Sequence, residues 1–250
     1  DILFNLHIHE NKATISLDIL GQSMHKRGYR KSSVDAPLQE TLAAAMLKLG
    51  AWDRTVPLWD PMCGSGTILT EALMLCCDIP AGYLRDHRRL KLMPGFDAEL
   101  WDKIVGLANG RIHPLPHGLI RGSDINPDAI EASRENLSCL PFGDKVSLSI
   151  GRIESYQGNF SGIIFSNPPY GVRLSNSADV GKIYMAMGDF LKQHCKGSIA
   201  YILCGSKDLV PKLRLRAHWT KSLKNGDLDS RLAKIVIHKQ IEPTDQHDPT

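Results

Sequence analysis

Cysteine and long hydrophobic runs are both scarce in this sequence. Six of its 250 residues are cysteine, with no Cys-x-x-Cys pair and no His/Cys cluster at zinc spacing. This pattern excludes a disulfide scaffold and predicts reduced thiols, a cytoplasmic location and no bound metal. No apolar stretch approaches the ~20 residues that a membrane-spanning helix needs. Because the chain begins with Asp1 rather than Met, we expect it to be a fragment.

Charge of one sign is not in large excess either. The 30 Lys and Arg residues against 27 Asp and Glu residues leave a net charge of +3. Total charge alone therefore gives no argument for a polyanionic partner. Hydrophobic residues make up 42% of the chain and charged residues 23%, which is typical of a globular protein and excludes the disordered, collagen-like and coiled-coil classes.

Strand and helix patterns alternate along most of the chain. Parallel strands are expected at 56–59, 118–123, 146–150, 163–165 and 198–204, and helices at 36–49, 68–77, 126–140 and 179–195. Two more strands, at 219–223 and 233–237, are expected to form an antiparallel hairpin at the sheet edge. Alternation of this kind predicts an α/β, Rossmann-like fold: a mainly parallel seven-stranded sheet with helices on both faces.

The other segments are additions to this core. We divide the chain into an N-terminal extension at 1–34, a main domain at 35–241 and a polar tail at 242–250. The main domain contains an insertion at about 78–117. The extension is expected to hold a hairpin with strands at 4–8 and 13–20. The insertion is longer than an ordinary connection and carries its own helix candidate at 98–108.

A glycine-bearing turn follows the first expected parallel strand and opens the next helix. It reads Asp60-Pro61-Met62-Cys63-Gly64-Ser65-Gly66-Thr67. Glycine lets the backbone approach a ligand closely at the carboxyl end of a strand. The turn lacks the Gly-Lys-Ser/Thr ending of a phosphate loop and the spacing of the GxGxxG fingerprint. The alternative interpretation is a purely structural turn.

Asp124, followed by Ile125, ends the next strand of the same unit. A carboxylate at this place can accept hydrogen bonds from both hydroxyls of a ribose, although an aspartate can also end a strand by chance. A ribose acceptor without a phosphate cradle favours an adenosine ligand that lacks a diphosphate. S-adenosylmethionine fits that description.

A third segment, Asn167-Pro168-Pro169-Tyr170, follows the strand at 163–165. The two prolines forbid both a continued strand and an immediate helix, so they predict a rigid loop. The Asn167 side-chain oxygen and the Pro168 carbonyl are acceptors that can orient the hydrogens of an exocyclic amino group and expose its lone pair. Tyr170 would offer a stacking face to a flipped-out base. The alternative is a plain turn in which the asparagine is a cap.

Together these segments resemble the class I S-adenosylmethionine-dependent amino-methyltransferases. The wider sequence is similar to the THUMP-associated RNA guanine-N2 methyltransferases, a family that includes the bacterial 23S ribosomal RNA enzyme. The more specific strings are His25-Lys26-Arg27-Gly28-Tyr29-Arg30, Ala36-Pro37-Leu38-Gln39-Glu40, the glycine turn and Asn167-Pro168-Pro169-Tyr170-Gly171. Asn-Pro-Pro-Tyr alone is shared with DNA adenine and protein glutamine methyltransferases. The resemblance implies that residues 35–241 are the catalytic domain and that 1–34 lead from a THUMP-like region absent from this sequence.

The resemblance also implies roles for single residues. Asp60, Gly64 and Gly66 would border the methionine part of the cofactor, Asp124 would bind the ribose, and Asn167, Pro168 and Tyr170 would contact the target base. The candidate cofactor residues are Asp60, Pro61, Cys63, Gly64, Ser65, Gly66, Thr67, Asp124, Ile125 and Asn167. Relatives usually place an aspartate after the third strand to receive the adenine amino group, but this chain has Gly151-Arg152-Ile153 there. A backbone group or a shifted loop would have to replace it.

Basic residues cluster at 25–31, 85–91 and 207–224. Such clusters can neutralise backbone phosphates of RNA, and a solvated surface is the alternative for each. Cys63 could be a nucleophile of the kind used in C5 methylation of pyrimidines, but no partnering base is identifiable nearby and a small side chain beneath the cofactor explains it better.

We therefore predict an S-adenosylmethionine-dependent RNA methyltransferase that modifies the N2 amino group of a guanine, with 23S ribosomal RNA as the expected substrate. The same residues fit a DNA adenine-N6 methyltransferase. A third hypothesis is a non-catalytic RNA-binding module on the same fold, which failure to bind S-adenosylmethionine would favour.

Overall fold

A computed structural model describes residues 3–33, 38–170, 177–226 and 228–239, with only the backbone described at 177 and 178. Ala36 and Pro37 of the second family string, Gly171 and the tail 242–250 lie outside the described residues. The strands are β1 Leu3–His9, β2 Lys12–Asp18, β3 Leu58–Asp60, β4 Ile120–Asp124, β5 Ser147–Ile150, β6 Ile163–Ser166, β7 Ile199–Cys204, β8 Ala217–Asn225 and β9 Leu228–Val236. The α-helices are α1 Glu40–Leu49, α2 Thr67–Cys76, α3 Ala98–Asn109, α4 Pro127–Leu137 and α5 Ser177–His194.

A central sheet of seven strands has the order β5-β4-β3-β6-β7-β9-β8. The strands from β5 to β7 are parallel to their neighbours, and β9 is antiparallel to both β7 and β8. This confirms the mainly parallel α/β sheet. The strand order changes direction at β3, and in such sheets ligands bind beyond the carboxyl ends of the strands at that point.

The C-terminal strands form an antiparallel pair at the sheet edge, as expected, although their bounds differ from the predicted ones. β9 lies inside the sheet between β7 and β8, so that β8 alone forms the edge. Both strands are also longer than the segments at 219–223 and 233–237. The sequence pattern missed residues 228–232 of β9, although Ser230 and Leu232 are buried there, because Asp229, Ser230 and Arg231 interrupt the apolar alternation.

Helices cover both faces of the sheet. α1, α2 and α4 contribute to one hydrophobic cluster, with Met46, Leu73 and Leu137 among its buried residues. α5 belongs to the cluster on the other face, where Tyr184 and Met187 are buried. Apolar residues at helical spacing predicted these helices because each spacing places one apolar stripe against the sheet.

The N-terminal extension and the insertion are much less buried than this core. β1 and β2 form an antiparallel hairpin in which Phe4 pairs with Leu17 and Leu6 with Ile15, and its apolar residues are exposed. No residue of α3 is buried. Within the described ranges, no helix has both the length and the apolarity needed to span a membrane. The boundaries of the extension, insertion and tail remain proposals.

Candidate active site

A cavity of about 500 Å³ opens at the carboxyl ends of β4, β3 and β6, which are neighbours in the sheet. Most of the residues that the sequence predicted for the cofactor and target line it: Asp60, Pro61, Cys63, Gly64, Ser65, Thr67, Asp124, Ile125 and Asn167. Pro169 lines the cavity as well, whereas Gly66, Pro168 and Tyr170 are not among its lining residues. The sheet topology thus brings together segments that are more than 100 positions apart.

The glycine turn needs glycine at two positions. Gly64 and Gly66 adopt left-handed backbone angles, with φ of 54° and 79°, which glycine adopts without steric penalty. A Cβ at Gly66 would also lie 2.8 Å from Ser133 Oγ. The backbone N–H of Gly64 donates to Asp124 Oδ2 at 2.9 Å. The turn is therefore fixed to the end of the neighbouring strand.

Asp60 is a buried acid at the end of β3, with 1% of its surface exposed. Burial raises the pKa of Asp60 to about 7; hydrogen bonds from the Met62 N–H and the Ser166 hydroxyl lower it, and the charge of Asp124 raises it further. Desolvation disfavours a lone carboxylate in such a place. A cation in the cavity would favour its ionised form, so the pair Asp60 and Asp124 is suited to a positively charged ligand.

Asn167 lines the cavity and has an unused hydrogen-bond acceptor. Its Oδ1 atom is buried and makes no hydrogen bond among the described residues. A buried acceptor of this kind carries a desolvation penalty unless a ligand satisfies it. The preceding residue, Ser166, donates its hydroxyl proton to Asp60 Oδ1 at 2.9 Å, so the loop of Asn167 is tied to the glycine turn. The arrangement can receive an N–H group of a substrate.

Tyr170 lies behind the cavity wall in this conformation. Its side chain is 5% exposed, and a Cβ at Gly205 would come within 2.3 Å of its ring. The Asn225 side-chain amide donates to the Tyr170 hydroxyl at 2.6 Å, which connects this loop to the tip of the C-terminal hairpin. A stacking role for Tyr170 remains a prediction, and it requires more of the ring to be exposed than is found here.

The part of the cavity formed by the segments after β4 and β5 contains both apolar and acidic side chains. The exposed side chain of Ile125 and the buried Ile153 both line it, as do Arg152 and Glu154. Two isoleucines suit the faces of an adenine ring. Glu154 supplies a carboxylate close to where the family aspartate is missing, because a short 3-10 turn at Ile153–Ser155 brings it to the cavity. The sequence pattern did not reveal Glu154 as a replacement, because it lies one position beyond the Gly151-Arg152-Ile153 string.

Two residues of the string 25–30, Arg27 and Tyr29, are buried and make contacts inside the protein. Arg27 is 8% exposed and donates through Nε and Nη2 to the two carboxylate oxygens of Glu71 in α2, at 3.2 and 3.3 Å. The Tyr29 hydroxyl donates to the same carboxylate at 3.2 Å. The expectation that this basic cluster contacts phosphates is therefore wrong for Arg27, since its charge is paired within the fold.

Arg30 and Asn136 hold the glycine turn from outside the cavity. Arg30 donates to Ser65 Oγ and Thr67 Oγ1, at 3.2 and 3.0 Å, and forms an ion pair with Glu40. The Asn136 amide donates to the carbonyls of Ser32 and Ser65 and accepts two backbone N–H groups of the extension. No sequence signal showed these contacts, because each joins residues far apart in the chain.

The second basic cluster is also used largely for internal contacts. Arg85 donates to the backbone carbonyls of Gln22, Ser23 and Lys26, at 2.9 to 3.2 Å. These bonds attach the insertion to the N-terminal extension, and Arg88 pairs with Asp86. Arg85 is thus used within the fold, whereas Lys26 and Arg88 are exposed, and phosphate contacts by these two side chains remain a prediction.

Cys63 does not have the environment of a nucleophile. Burial raises the pKa of its thiol well above the ordinary value, and the charges of Asp60 and Asp124 raise it further. A thiolate is the reactive form, so these surroundings oppose covalent catalysis. Across the described residues, no group of three or more metal-ligating side chains could hold a metal ion.

The cavity fits a charged adenosine derivative on the grounds of its own residues. It combines a backbone cradle, two neighbouring carboxylates for cationic and hydroxyl groups, an apolar slot and the unused Asn167 oxygen. The sequence profile of the family described as "RMKL-like, methyltransferase domain" matches residues 27–234. The chain belongs to this family. The matched range includes every part of the cavity described above.

Longer relatives share this domain. The ribosomal RNA large subunit methyltransferase K/L of Syntrophotalea carbinolica is 36% identical over 253 residues, covering 96% of this chain and 35% of that protein. The slr0064 protein of Synechocystis sp. is 35% identical over 241 residues, covering 95% of this chain and 62% of that protein. The chain of this RMKL-like domain thus spans less than two thirds of each relative.

Solved structures agree with the family. SMU.472, crystallised in complex with SAH, superposes with a TM-score of 0.86 at 30% identity, covering 96% of this chain and 62% of that one. A protein from Listeria monocytogenes described as a predicted N6-adenine-specific DNA methylase gives a TM-score of 0.80 at 28% identity, covering 94% and 60%. The class I methyltransferase fold expected from the sequence is therefore confirmed.

Proposed function

We propose that this RMKL-like domain transfers a methyl group from S-adenosylmethionine to the N2 amino group of a guanine in RNA, with 23S ribosomal RNA as the substrate and the cytoplasm as its location. The names of the K/L relatives support a ribosomal RNA substrate, and the SAH-bound neighbour supports the cofactor. The observation that carries the proposal is the buried, unsatisfied Asn167 Oδ1 at the cavity wall.

The cofactor would be held by side chains already in place. Asp60 and Asp124 would bind its cationic and ribose groups, while Ile125 and Ile153 would cover the adenine, with Glu154 as an acceptor for the adenine amino group. When bound, S-adenosylmethionine supplies an activated methyl group. The Asp124 carboxylate is held in position, because the backbone N–H groups of Gly64 in the glycine turn and of Asn126 donate to it.

The substrate amino group would be oriented by the loop of Asn167. An exocyclic amino group is a weak nucleophile because its lone pair is delocalised into the ring. The Asn167 oxygen and the Pro168 carbonyl would accept its two hydrogens and thereby favour the geometry in which the lone pair is exposed. No covalent intermediate is required, in agreement with the protonated state favoured for Cys63.

Nucleoside analysis tests this proposal directly. Unmodified 23S ribosomal RNA transcript is incubated with the protein and S-adenosylmethionine, digested to nucleosides and examined by mass spectrometry. We expect N2-methylguanosine, and none with Asn167→Ala. If the protein binds S-adenosylmethionine but no methylated nucleoside is formed, the proposed activity is contradicted.

A second candidate is methylation of adenine N6 in DNA, which the Listeria neighbour's description favours. The Asn167 oxygen would receive an adenine amino group equally well. A parallel reaction with unmethylated duplex DNA separates the two candidates. If N6-methyladenine is formed in the DNA and guanine stays unmodified in the RNA reaction, the second candidate replaces the first.

A further inference from the structure

A second cavity, of about 760 Å³, lies at the opposite end of the central sheet. It is bounded by the end of α5, the start of β8 and the segment that follows β9. β9 is antiparallel to β7 and pairs Val236 with Ile199, the first residue of β7. The cavity therefore lies at the amino ends of the parallel strands, whereas the active-site cavity lies at their carboxyl ends.

Basic side chains surround this second cavity. We define the basic groove by Lys192, Lys196, Arg216, His218 and His238, which are exposed, over an apolar floor that includes Leu215 and Ile237. Among the described residues, no aspartate or glutamate lines it. Asp189, which does not line the cavity, forms an exposed ion pair with Lys192 at 3.8 Å. In a chain with a net charge of only +3, this is a local concentration of positive charge.

The fold assembles the basic groove from distant parts of the chain. The lysines come from the last turn of α5 and the residues after it, Arg216 precedes β8, and His238 follows β9. A register shift between Ala217 and Trp219 leaves His218 as an extra residue of the edge strand, and such bulges redirect a side chain. The basic run at 207–224 is thus divided: Arg216 belongs to the groove, whereas Lys224 lies at the far end of β8.

The groove is separated from the active-site cavity by the length of the sheet. β7 has six residues, which at about 3.3 Å each gives roughly 20 Å between its ends. One nucleotide cannot span that distance, but a folded RNA can contact both ends of the sheet. Phosphate contacts fix the position of a nucleic acid without reading its sequence, and exposed cationic side chains supply them.

We propose that the basic groove binds backbone phosphates of the RNA whose guanine is methylated at the other end of the sheet, an inference that rests on the proposed function. The groove acts in substrate affinity and orientation. It contributes nothing to cofactor binding or to the methyl-transfer step.

Salt-dependent RNA binding by the full 250-residue chain tests the groove. Affinity for a 23S transcript is measured by filter binding from about 50 to about 200 mM KCl. For Lys192→Ala/Arg216→Ala we expect the slope of log Kd against log salt to become less steep by about two, with Kd raised about tenfold. The control, Lys12→Ala/Lys103→Ala, removes two exposed lysines elsewhere and should leave the slope unchanged.

Two further measurements assign any effect to the groove. A guanosine trinucleotide is too short to reach from one end of the sheet to the other, so with this substrate the groove variant should keep the wild-type kcat/KM. With the 23S transcript, the KM of the groove variant should rise while its kcat is unchanged. Calorimetry should give wild-type affinity for S-adenosylmethionine. An equal loss on the trinucleotide would overturn the proposal, because it would place the two residues in the active site.

Other outcomes decide between partners. If the groove variant and the control give the same slope of log Kd against log salt, the proposal is overturned, even if the protein methylates RNA. If the slope changes but no RNA is methylated, only the proposed activity is rejected. Polyglutamate and phosphatidylserine vesicles are tested as alternative polyanions. If either binds through Lys192 and Arg216 while RNA does not, the groove serves an acidic protein or a membrane surface instead.

Discussion

The two ends of the central sheet present charge in different ways. At the carboxyl end of the parallel strands, Asp60 is almost fully buried and hydrogen-bonded to Ser166. At the amino end, the Lys192 side chain is 41% exposed and forms an ion pair at 3.8 Å with Asp189, whose side chain is 47% exposed. Groups that act on a single small ligand need fixed geometry and partial desolvation, whereas contacts to a polyanion need charges that remain in water until the partner arrives. The comparison predicts that substitutions at the two ends will change different measured quantities.

The largest expected effect is on turnover at the carboxyl end. Asn167→Ala removes the acceptor that we propose orients the amino group, so kcat should fall by about 10²–10³-fold while the Kd of S-adenosylmethionine stays within a few-fold. Asp124→Ala should instead weaken cofactor binding first. Calorimetry and single-turnover kinetics separate the two quantities, and an equal loss of both in Asn167→Ala would show that this residue does not act on the substrate.

Buried and exposed arginines should differ in their effect on stability. Arg27→Ala leaves the buried Glu71 carboxylate without its ion pair, and removal of one partner of such a pair costs about 3–5 kcal/mol of unfolding free energy. Arg216→Ala, in the basic groove, should change it by less than about 0.5 kcal/mol. Urea unfolding followed by circular dichroism measures both. Similar values for the two would mean that the Arg27 pair is solvated in solution.

The pH dependence of cofactor affinity should identify Asp60. Its pKa is raised to about 7, so the carboxyl is mostly protonated at pH 6 and mostly ionised at pH 8. A cationic ligand binds the ionised form better, and affinity for S-adenosylmethionine should therefore rise about tenfold over that interval. Asp60→Asn should remove this dependence. Since the pKa of Asp60 is raised in the folded state, its contribution to the free energy of unfolding is greatest below its unfolded-state pKa, near 4. This contribution decreases as the pH rises towards 7.

The smallest expected effect concerns the adenine end of the cavity. Glu154→Gln replaces one acceptor by a group that can still accept a hydrogen bond, so S-adenosylmethionine affinity should fall only about two- to fivefold. Arg152→Gln is the matched control from the same cavity wall, and it should have no effect on cofactor affinity. A loss in the control alone would assign adenine recognition to residue 152.

The sequence predicted the fold because its signals are local. Asp60 and Asp124 end short apolar strands, and the Asn126 side chain caps α4 by accepting the Asp128 N–H, as the pattern before Pro127 indicated. The cavity could be predicted for the same reason, because parallel strands necessarily place their carboxyl ends together. The sequence also predicted the two C-terminal strands but placed their ends incorrectly, since polar residues interrupt the apolar pattern at the start of β9.

Contacts between distant residues could not be predicted in this way. Arg27 and Glu71 are 44 positions apart, and nothing in either local pattern distinguishes a buried arginine from one that faces RNA. The basic groove was missed for the opposite reason: its cations are dispersed in the sequence and converge only after α5, β8 and β9 have packed. Charge clusters in a sequence are thus a poor guide to charge clusters on a surface.

One amide has a consequence for how this domain can be shortened or perturbed. Asn136 binds both the segment around Ser32 and the Ser65 carbonyl of the glycine turn, so neither segment can shift without breaking bonds to the same side chain. A truncation that begins after Ser32 would keep every strand of the central sheet, yet it would loosen the pocket that those strands present.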